Sequence, residues 1–546
     1  MARGLIVAAL VFCVGGSVHA QTFRVAGVVV DDANGAVLGR TRVSLAEVQD
    51  RRKAESIVTG ADGRFEFNNV PAGKFSLAGG RRNFLPTTYQ WHEGFSTAIV
   101  TGTGLDTEHL VLRMIPFGSI AGKVIDEAGE PVRKARVKLY MRNQQFGQDR
   151  VITYGFAQSD DEGKYEFPEL IPAEFFVSAA ARPWYAVYPG FVDENGVRTR
   201  VETDAPELNV AYATTFYSGA TEPEGATPIV VEKGSHIVAD IHLSPVTALH
   251  VTVRTPGNPT EGFTGMPMLE KMEFDNAEPY SGEMMPGANP GEMEISGVAP
   301  GRYAIGEPNS MGMVQAGAQV ELAKDGQTLE SKRAESAGTV KVKVKTARGE
   351  DVPEGTSLNL RNERRRTIAF IPVSADGTVN FDGVPPGKYT VLVNSQKPPQ
   401  YTIGKMTLQG APGSQAVDVE GNDIVVGEGA TVEINATLMA GIVSVEGVVK
   451  KDGKPVSGVM VALVPKNPRR HPERFRRDQS DLDGSFMVGG ILPGTYTLIA
   501  VEDAWGFAWM KEGVLEKYLA RGQQVIVGAM MNGKVVLPEA VEVQGR

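Results

Sequence analysis

The stretch ADGRFEFNNVPAGKF, residues 61–75, holds a short aromatic strand between two turns. Phe65 and Phe67 follow Gly63 by two and four residues, so in an extended strand both side chains point to the same face. Gly63 permits the positive φ that a tight hairpin turn needs. The PAG segment then ends the strand and leads into another, in which Phe75 is the first inward residue. The pattern predicts one hairpin of an antiparallel sheet.

The same pattern recurs along the chain, which indicates a repeated structural unit. In every copy, apolar or aromatic residues follow the turn glycine at offsets two, four and twelve. The intervals between turn glycines are 100, 128, 86 and 107 residues, much longer than the solenoid period of about 20–50 residues. The five copies, of which the third is the weakest, have their turn glycines at Gly63, Gly163, Gly291, Gly377 and Gly484.

A second recurring unit lies upstream of each turn. VAGVVVDDANGAVLGRTRVSL (25–45), IAGKVIDEAGEPVRKARVKLY (120–140) and VEGVVKKDGKPVSGVMVAL (445–463) are each two alternating strands around a glycine-containing turn. Such strand density, in 546 residues with 63 Gly and 33 Pro, is typical of β-sandwiches. The sequence predicts an all-β chain of tandem antiparallel β-sandwiches, Ig-like or transthyretin-like, with one short helix near 514–522. The predicted sandwiches are 21–115, 116–245 with a long loop, 246–337 with a Met/Pro/Gly-rich insert, 338–440 and 441–546.

The combined motif resembles a known domain family. G-x-V-x-D-x-x-G-x-P-V-x-x-A-x-V followed by D-G-x-[FY]-x-[FY]-x-x-[VL]-x-P-G-x-Y is similar to the carboxypeptidase regulatory-like domain, a transthyretin-like or CnaB-like sandwich grouped with carbohydrate-binding-like folds. The segment 213–243, ATTFYSGATEPEGATPIVVEKGSHIVADIHL, also resembles large exported tandem-domain proteins of soil bacteria. The resemblance implies a sandwich fold and an exported, accessory character, and it implies no catalytic residues.

Residues 1–20, MARGLIVAALVFCVGGSVHA, have the features of a secretory signal peptide: a basic start, a short apolar run and small residues before the cut. Cleavage before Gln21 would remove Cys13, the single cysteine, so we expect no disulfide and no thiolate metal site in the exported chain. No later stretch approaches the about 20 apolar residues of a transmembrane helix. We therefore expect an exported protein without a transmembrane segment, which is periplasmic, cell-surface or extracellular.

The net charge of the chain and the absence of catalytic motifs argue against several classes of function. The net charge of −10 argues against nucleic-acid binding, which needs a basic face. No histidine has a glutamate three residues on, and the chain lacks G-x-S-x-G and GKS/GKT motifs. The sequence therefore predicts a protein that is not an enzyme and that holds no cofactor and no metal.

Three other interpretations have some support in the sequence. The acidic residues before two turn glycines, Asp160, Asp161 and Glu162 and then Asp481 and Asp483, suggest calcium, but the further ligands of a calcium loop are absent and hairpin turns are the better account. CnaB-like domains can carry a Lys–Asn isopeptide bond, for which Lys343 and Asn435 are candidates, although the lysine run predicts a wet face. Methionines suit Cu(I) but also fill gaps in cores, and the insert contains Met266, Met268, Met272, Met284, Met285 and Met293.

Aromatic residues recur in the loop that follows the second hairpin strand. In the second and fifth units, two of them stand 21 and 25 residues after the turn glycine. Exposed rings would stack on sugars, whereas buried rings would close the end of a sandwich. The candidate ligand-binding residues are Trp184, Tyr188, Trp505, Trp509 and Trp91.

Basic residues cluster at hairpin tips shortly before several DG turns, including residues 51–53 and 364–366. Such clusters could bind an anionic polymer, or they could be ordinary solvated loops. The strongest candidates for anion binding are Arg469, Arg470, Arg474, Arg476 and Arg477.

These features together predict an exported, non-catalytic protein of several β-sandwiches that binds carbohydrate or mediates adhesion at the bacterial envelope, with a polysaccharide or an envelope protein as partner. The alternative is a structural spacer or assembly protein that binds a protein partner, for example by strand addition at a sheet edge.

Overall fold

The computed structural model confirms an all-β chain, and most strand pairs in its sheets are antiparallel. It describes residues 21–50, 52–145, 148–188, 205–254, 268–274, 276–280, 283–287, 289, 292–308, 314–315, 319–330, 337–347, 349–362, 367–395, 401–409, 416–419, 422–440, 443–466, 468, 474–492, 494–506, 513–528 and 533–546. The predicted signal peptide and Trp509 lie outside these residues.

The first two segments each form two main sheets. The strands of the first are β1 (Thr22–Asp31), β2 (Arg42–Glu47), β3 (Ala54–Val58), β4 (Arg64–Pro71), β5 (Gly73–Gly80), β6 (Phe84–Leu85), β7 (Thr87–Thr88), β8 (Ile99–Thr101) and β9 (Leu110–Pro116). Those of the second are β10 (Gly118–Ile125), β11 (Arg136–Gln145), β12 (Gln148–Gln158), β13 (Lys164–Leu170), β14 (Ala173–Ala180), β15 (Val210–Tyr212), β16 (Thr215–Phe216), β17 (Ile229–Val231), β18 (His236–Val238), β19 (Ile241–His242) and β20 (Pro245–Thr247). The sheet orders are β4-β1-β9-β6 with β3-β2-β5-β7, and β13-β10-β18 with β12-β11-β14-β16.

The third and fourth segments repeat this plan, whereas the strands of the fifth are joined in one nine-stranded sheet. The third has β21 (Leu249–Arg254), β22 (Met268–Glu273), β23 (Asn276–Pro279), β24 (Glu283–Pro286), β25 (Glu292–Val298), β26 (Gly301–Pro308), β27 (Val314–Gln315), β28 (Gln319–Leu322) and β29 (Gln327–Glu330). The fourth has β30 (Gly338–Thr346), β31 (Thr356–Asn362), β32 (Thr367–Pro372), β33 (Thr378–Val384), β34 (Gly387–Ser395), β35 (Tyr401–Leu408), β36 (Val417–Asp418), β37 (Asp423–Val426) and β38 (Thr431–Ala440). The fifth has β39 (Val443–Lys451), β40 (Lys454–Pro455), β41 (Met460–Pro465), β42 (Arg476–Gln479), β43 (Ser485–Ile491), β44 (Gly494–Val501), β45 (Gln523–Val527), β46 (Lys534–Val536) and β47 (Val541–Gln544).

One pairing rule holds in all five segments. The first strand pairs antiparallel with the strand after the turn glycine and parallel with a strand at the end of the segment, as β1 does with β4 and β9. Each antiparallel pairing also has a register shift near the start of the first strand, between Phe23 and Val25 in the first segment and at the equivalent positions elsewhere. The recurrence seen in the sequence is therefore a recurrence of topology.

The residues at offsets two, four and twelve are buried, as the alternation predicted. Gly63 has φ of 68°, and the equivalent glycines of the second, fourth and fifth segments also have positive φ. Five separate hydrophobic clusters fill the segments, and they fall within the predicted ranges. The ranges themselves remain our division of the chain, and we call them the first to fifth sandwiches below.

A tyrosine hydrogen bond recurs in the last three sandwiches. The hydroxyl at offset twelve donates to the backbone carbonyl four residues earlier, at 2.8 Å in each case. This bond satisfies a buried hydroxyl and fixes the turn before the strand. The three pairs are Tyr303 with Ala299, Tyr389 with Pro385, and Tyr496 with Leu492.

Helix is scarce, as expected. The α-helix α1 (Glu516–Leu519) lies in the segment where one was predicted, and short 3-10 helices lie at Pro206–Leu208, Pro223–Gly225 and Ala504–Gly506. In the part of the chain that the structure describes, no helix has the length and apolar character needed to cross a membrane.

The two ends of the chain contact each other. Lys74 Nζ lies 2.6 Å from Asp481 Oδ2, and the backbone N–H of Leu482 donates to Ala98 O at 3.1 Å. The Leu482 side chain packs against the core of the first sandwich. The first and fifth sandwiches therefore share an interface, although they are the most distant from each other in the sequence.

Candidate functional site

A cleft between the second and third sandwiches combines a cavity, charge and aromatic rings. Its floor is the outer face of the sheet that contains β11 and β14. Because side chains alternate along a strand, Val137 and Leu139 enter the core while Arg136 and Lys138 face outward. The register places Ser178 of β14 opposite Lys138. The cavity has a volume of about 280 Å³.

The third sandwich supplies the opposite wall through β22. Glu273 Oε2 lies 2.8 Å from Lys138 Nζ and accepts a hydrogen bond from the Tyr140 hydroxyl at 2.5 Å. The side chains of Lys138 and Glu273 are only 7% and 4% exposed. Neighbouring Phe274 packs its ring against Tyr140, whose ring centroid is 5.1 Å away. This junction is therefore packed and charge-paired, so the cleft has fixed walls.

The predicted aromatic loop of the second sandwich forms one rim. Tyr188 and Arg182 line the cavity. The Tyr188 hydroxyl donates to Val210 O at 2.7 Å, and the Arg182 guanidinium lies 4.3 Å from the centre of the Tyr188 ring. Arg182 Nη2 also donates to Ala186 O at 3.1 Å. Arg182 is therefore held by contacts within its own loop, and Tyr188 is held by β15.

Trp184 lies on the same loop and is 84% exposed. The neighbouring Tyr185 ring is 5.6 Å from Trp184 in a T-shaped arrangement, and the Tyr185 hydroxyl donates to the Glu127 carboxylate. Tyr212, which lines the cavity, donates to the same carboxylate at 2.8 Å. The bond to Glu127 raises the pKa of Tyr185 to about 12. The loop is thus anchored while its indole faces solvent.

Lys271 lies on the third-sandwich side of the cavity. Its ammonium is 5.1 Å from the centre of the Tyr303 ring and 3.3 Å from Glu222 Oε1. Arg302 also pairs with Glu222, at 3.2 Å, so this carboxylate binds two cations. Both ion pairs join Glu222 of the second sandwich to a cation of the third, so they reinforce the junction beside the cleft.

The other predicted aromatic residues have different surroundings. Trp505 is partly buried at the interface of the first and fifth sandwiches, where its ring stacks on His92 with centroids 5.1 Å apart. Its Nε1 donates to Gly458 O at 3.3 Å. Trp91 is half-buried, and Trp509 lies outside the described residues. Of the four predicted residues that the structure describes, Tyr188 lines the cleft, and Trp184 lies on the same loop outside the lining.

The predicted anion-binding arginines are partly described. Arg477 pairs with Glu93 at 2.9 Å and lies over the rings of Phe95 and Trp505. Arg476 donates to backbone carbonyls, including Gly490 O at 3.1 Å, and Arg474 is half-buried. Arg469 and Arg470 lie outside the described residues. Arg476 and Arg477 therefore have structural partners.

The structure also locates residues on which the calcium, isopeptide-bond and Cu(I) interpretations depend. Among the described residues there is no group of three or more His, Cys, Asp and Glu side chains that could hold a metal ion. Asp481 binds Lys74 and the N–H of Ala98. Lys343 and Asn435 are register partners on β30 and β38, but Lys343 is exposed. Met284 packs against the third core, Met293 is buried, and Met266 lies outside the described residues.

Sequence reasoning did not single out the cationic floor of the cleft. A signal was present in KARVKLY, where every second residue from Lys134 to Lys138 is basic. This alternation places Arg136 and Lys138 on one face of β11, and Lys134 lies in the turn just before that strand. What the sequence does not show is that the third sandwich brings β22 against that face.

Comparisons with known proteins give a family and several distant structures. No curated protein sequence matches the chain significantly. The TIE protein of Bacillus anthracis is 10% identical, with 97% of this chain and 75% of that one covered, at a TM-score of 0.18. The minor pilin GBS52 of Streptococcus agalactiae is 12% identical, with 44% and 99% covered, at 0.20. Two B repeat units of the collagen-binding protein of Staphylococcus aureus are 11% identical, with 76% and 100% covered, at 0.13.

Superpositions with such low TM-scores carry no argument about function. The family model of the carboxypeptidase regulatory-like domain matches residues 24–103, which contain the hairpin around Gly63. These residues form β1 to β8 and most of the first core. The chain therefore contains, at residues 24–103, a domain of the carboxypeptidase regulatory-like family.

Proposed function

We propose that this chain is an exported, non-catalytic protein of the bacterial envelope that binds carbohydrate, and that the cleft between the second and third sandwiches is its binding site. The observation that carries the proposal is the position of Trp184, an almost fully exposed indole on the loop whose Arg182 and Tyr188 line the cleft.

An exposed indole is unfavourable in water unless it meets a partner. Its flat apolar face fits the apolar face of a sugar ring, and the surrounding polar groups can bind sugar hydroxyls. Ser178, Thr214 and Tyr188 provide such groups within the cavity. The anchoring of Tyr185 and Tyr212 on Glu127 holds the loop before any ligand arrives, which reduces the entropy lost on binding.

The export of the chain is part of the same proposal and rests on residues 1–20. The test is to express the full chain in a bacterium and determine the N-terminus of the exported protein by mass spectrometry. We expect Gln21 as the first residue, and an intact Met1 on cytoplasmic protein would contradict export.

Carbohydrate binding is tested by a pull-down of residues 21–546 on insoluble envelope and plant polysaccharides. The variant Trp184→Ala removes the exposed indole, and Phe370→Ala removes an exposed aromatic ring of the fourth sandwich as a matched control. We expect binding that is lost in Trp184→Ala and kept in Phe370→Ala. Equal binding by all three proteins would exclude Trp184 as a sugar platform.

A second candidate function is a structural or assembly protein that binds a protein partner. The observation in its favour is β12, an edge strand of the sheet β12-β11-β14-β16 whose Phe156 is exposed. A sheet edge with an exposed apolar side chain is suited to strand addition by another chain. Crosslinking of an envelope protein to a photoreactive residue at position 156, with no glycan binding, would favour this alternative.

A further inference from the structure

The cleft that lines the proposed sugar site is strongly basic, although the whole chain carries a net charge of −10. The ionisable residues in its lining, apart from tyrosines, include a single acid, Glu273. The cations of the lining are Lys134, Arg136, Lys138, Arg182 and Lys271. Such a concentration in a concave surface produces a local positive potential that an overall negative chain does not predict.

Two of these cations are neutralised by the protein itself. Lys138 pairs with buried Glu273, and Lys271 pairs with Glu222. Lys134 and Arg136 differ, because both are exposed and neither has a carboxylate partner among the residues that the structure describes. Both line the cavity, Arg136 from the first position of β11 and Lys134 from the turn just before it. The cleft therefore has positive charge available for a ligand.

Arg182 adds a cation whose position is fixed. The contact with the Tyr188 ring and the bond to Ala186 O orient the guanidinium before a ligand binds. A preoriented guanidinium fork matches the paired oxygens of a carboxylate, sulfate or phosphate group. The cavity volume of about 280 Å³ is slightly below the usual range of about 300–1,000 Å³ for ligand pockets, so the cavity accommodates one charged unit of a larger molecule.

We infer that the cleft selects an acidic glycan: one anionic sugar unit enters the cavity towards Arg136, Lys134 and Arg182, while a neighbouring ring stacks on Trp184. This inference rests on the proposed carbohydrate binding and specifies its ligand. The shared chemistry is an anionic oxygen group on a sugar, which a uronic acid supplies as carboxylate and a sulfated glycan supplies as sulfate.

The experiment compares three soluble probes by isothermal titration with residues 21–546: polygalacturonate, dextran sulfate and neutral dextran. The variants are Arg136→Ala and Lys134→Ala. The matched control is Arg133→Ala, which removes an exposed cation that pairs with Asp161 and does not line the cavity. All three side chains are on the surface, and circular dichroism and thermal unfolding establish that each variant is folded.

We expect at least one anionic glycan to bind, with affinity that falls as salt is added, and dextran to bind at least about tenfold more weakly. Each cleft variant should lose about tenfold in affinity, whereas Arg133→Ala should not change it. Binding of only polygalacturonate or only dextran sulfate would support the inference and identify carboxylate or sulfate as the group recognised.

Other results would overturn the inference in distinguishable ways. If dextran binds as tightly as the charged glycans, or if Arg133→Ala weakens binding as much as Arg136→Ala, the cleft does not select charge but carbohydrate binding stands. If no glycan binds, the proposed function fails with it. If single-stranded oligothymidylate binds as tightly as the acidic glycans, the cleft recognises polyanions in general and not sugars.

Discussion

Tyr188 of the second sandwich lies so close to Gly297 of the third that no side chain fits between them. A Cβ placed on Gly297 would be 2.4 Å from Tyr188 Cε2. Gly297 also has φ of 75°, and its carbonyl accepts a hydrogen bond from the Tyr280 hydroxyl. One glycine therefore sets the distance between the two walls of the cleft.

The variant Gly297→Ala should force the two sandwiches apart. We expect the free energy of unfolding to fall by about 2–4 kcal/mol, from the clash together with the strained backbone. The measurement is urea unfolding followed by tyrosine and tryptophan fluorescence. Gly326→Ala is the control, because Gly326 has φ of 72° but no atom within 4 Å of the point that a Cβ would occupy, so it should cost about 1 kcal/mol. Equal losses of unfolding free energy in the two variants would show that the contact with Tyr188 does not restrict the side chain at position 297.

The contact between the chain ends should depend on Gln479, which is 1% exposed. Its amide donates to Gln90 O at 2.6 Å and to Thr97 Oγ1 at 2.9 Å, and its carbonyl oxygen lies 3.0 Å from His92 Nδ1. Gln479→Ala leaves these groups without their partner, which should destabilise the interface by about 1–3 kcal/mol. Small-angle scattering should then show a larger radius of gyration. The control is Gln524→Ala, which changes an exposed residue of the same sandwich and should leave the radius of gyration unchanged. If the radius of gyration is unchanged in both variants, the interface between the first and fifth sandwiches is contradicted.

Stability should vary with pH through Asp478. Burial raises the pKa of Asp478 to about 6, partly opposed by the hydrogen bond that its carboxylate accepts from the Met487 N–H. Between its ordinary pKa of 3.8 and about 6, the folded protein keeps the proton that the unfolded chain has released. The stabilisation that the Asp478 carboxyl contributes is therefore fully present below pH 3.8, and it is lost as the pH rises through about 6. Asp478→Asn should lose this dependence, measured as the urea midpoint against pH, and an identical slope in both proteins would contradict the assignment.

The recurrent tyrosine bond should have a measurable energy. Tyr389→Phe removes the hydroxyl that donates to Pro385 O, and we expect a loss of about 1 kcal/mol in the free energy of unfolding. Tyr401→Phe is the control in the same sandwich, because the Tyr401 hydroxyl has no hydrogen-bond partner among the described residues. Thermal unfolding of both variants compares them, and an equal loss would mean that the bond to Pro385 adds nothing.

Local periodicity was sufficient to predict the fold. The offsets of two, four and twelve residues from the turn glycine depend only on strand geometry and on the turn, so Phe65, Phe67 and Phe75 could be placed in one core without knowing any tertiary contact. The tyrosine bonds and the recurring register shifts follow from the same repeat.

The candidate site could be predicted only in part, because it depends on contacts between sandwiches. Trp184 and Trp505 share the same offset from their turn glycines, yet one is exposed and the other stacks on His92 of the first sandwich. Equal positions in a repeat thus acquire different environments from their neighbours. The pairing of Lys138 with Glu273 joins residues 135 positions apart, for which local sequence carries no signal.

A fluorescence titration detects whether Trp184 contacts a glycan held in the neighbouring cleft, because the indole is exposed in the free protein. Residues 21–546 and the variant Trp184→Phe would each be titrated with polygalacturonate and dextran sulfate, and the difference spectrum isolates the exposed indole. We expect a saturable blue shift that is absent in Trp184→Phe, since stacking removes the indole from water. An identical spectral response in both proteins, or none in either, would contradict the proposed contact.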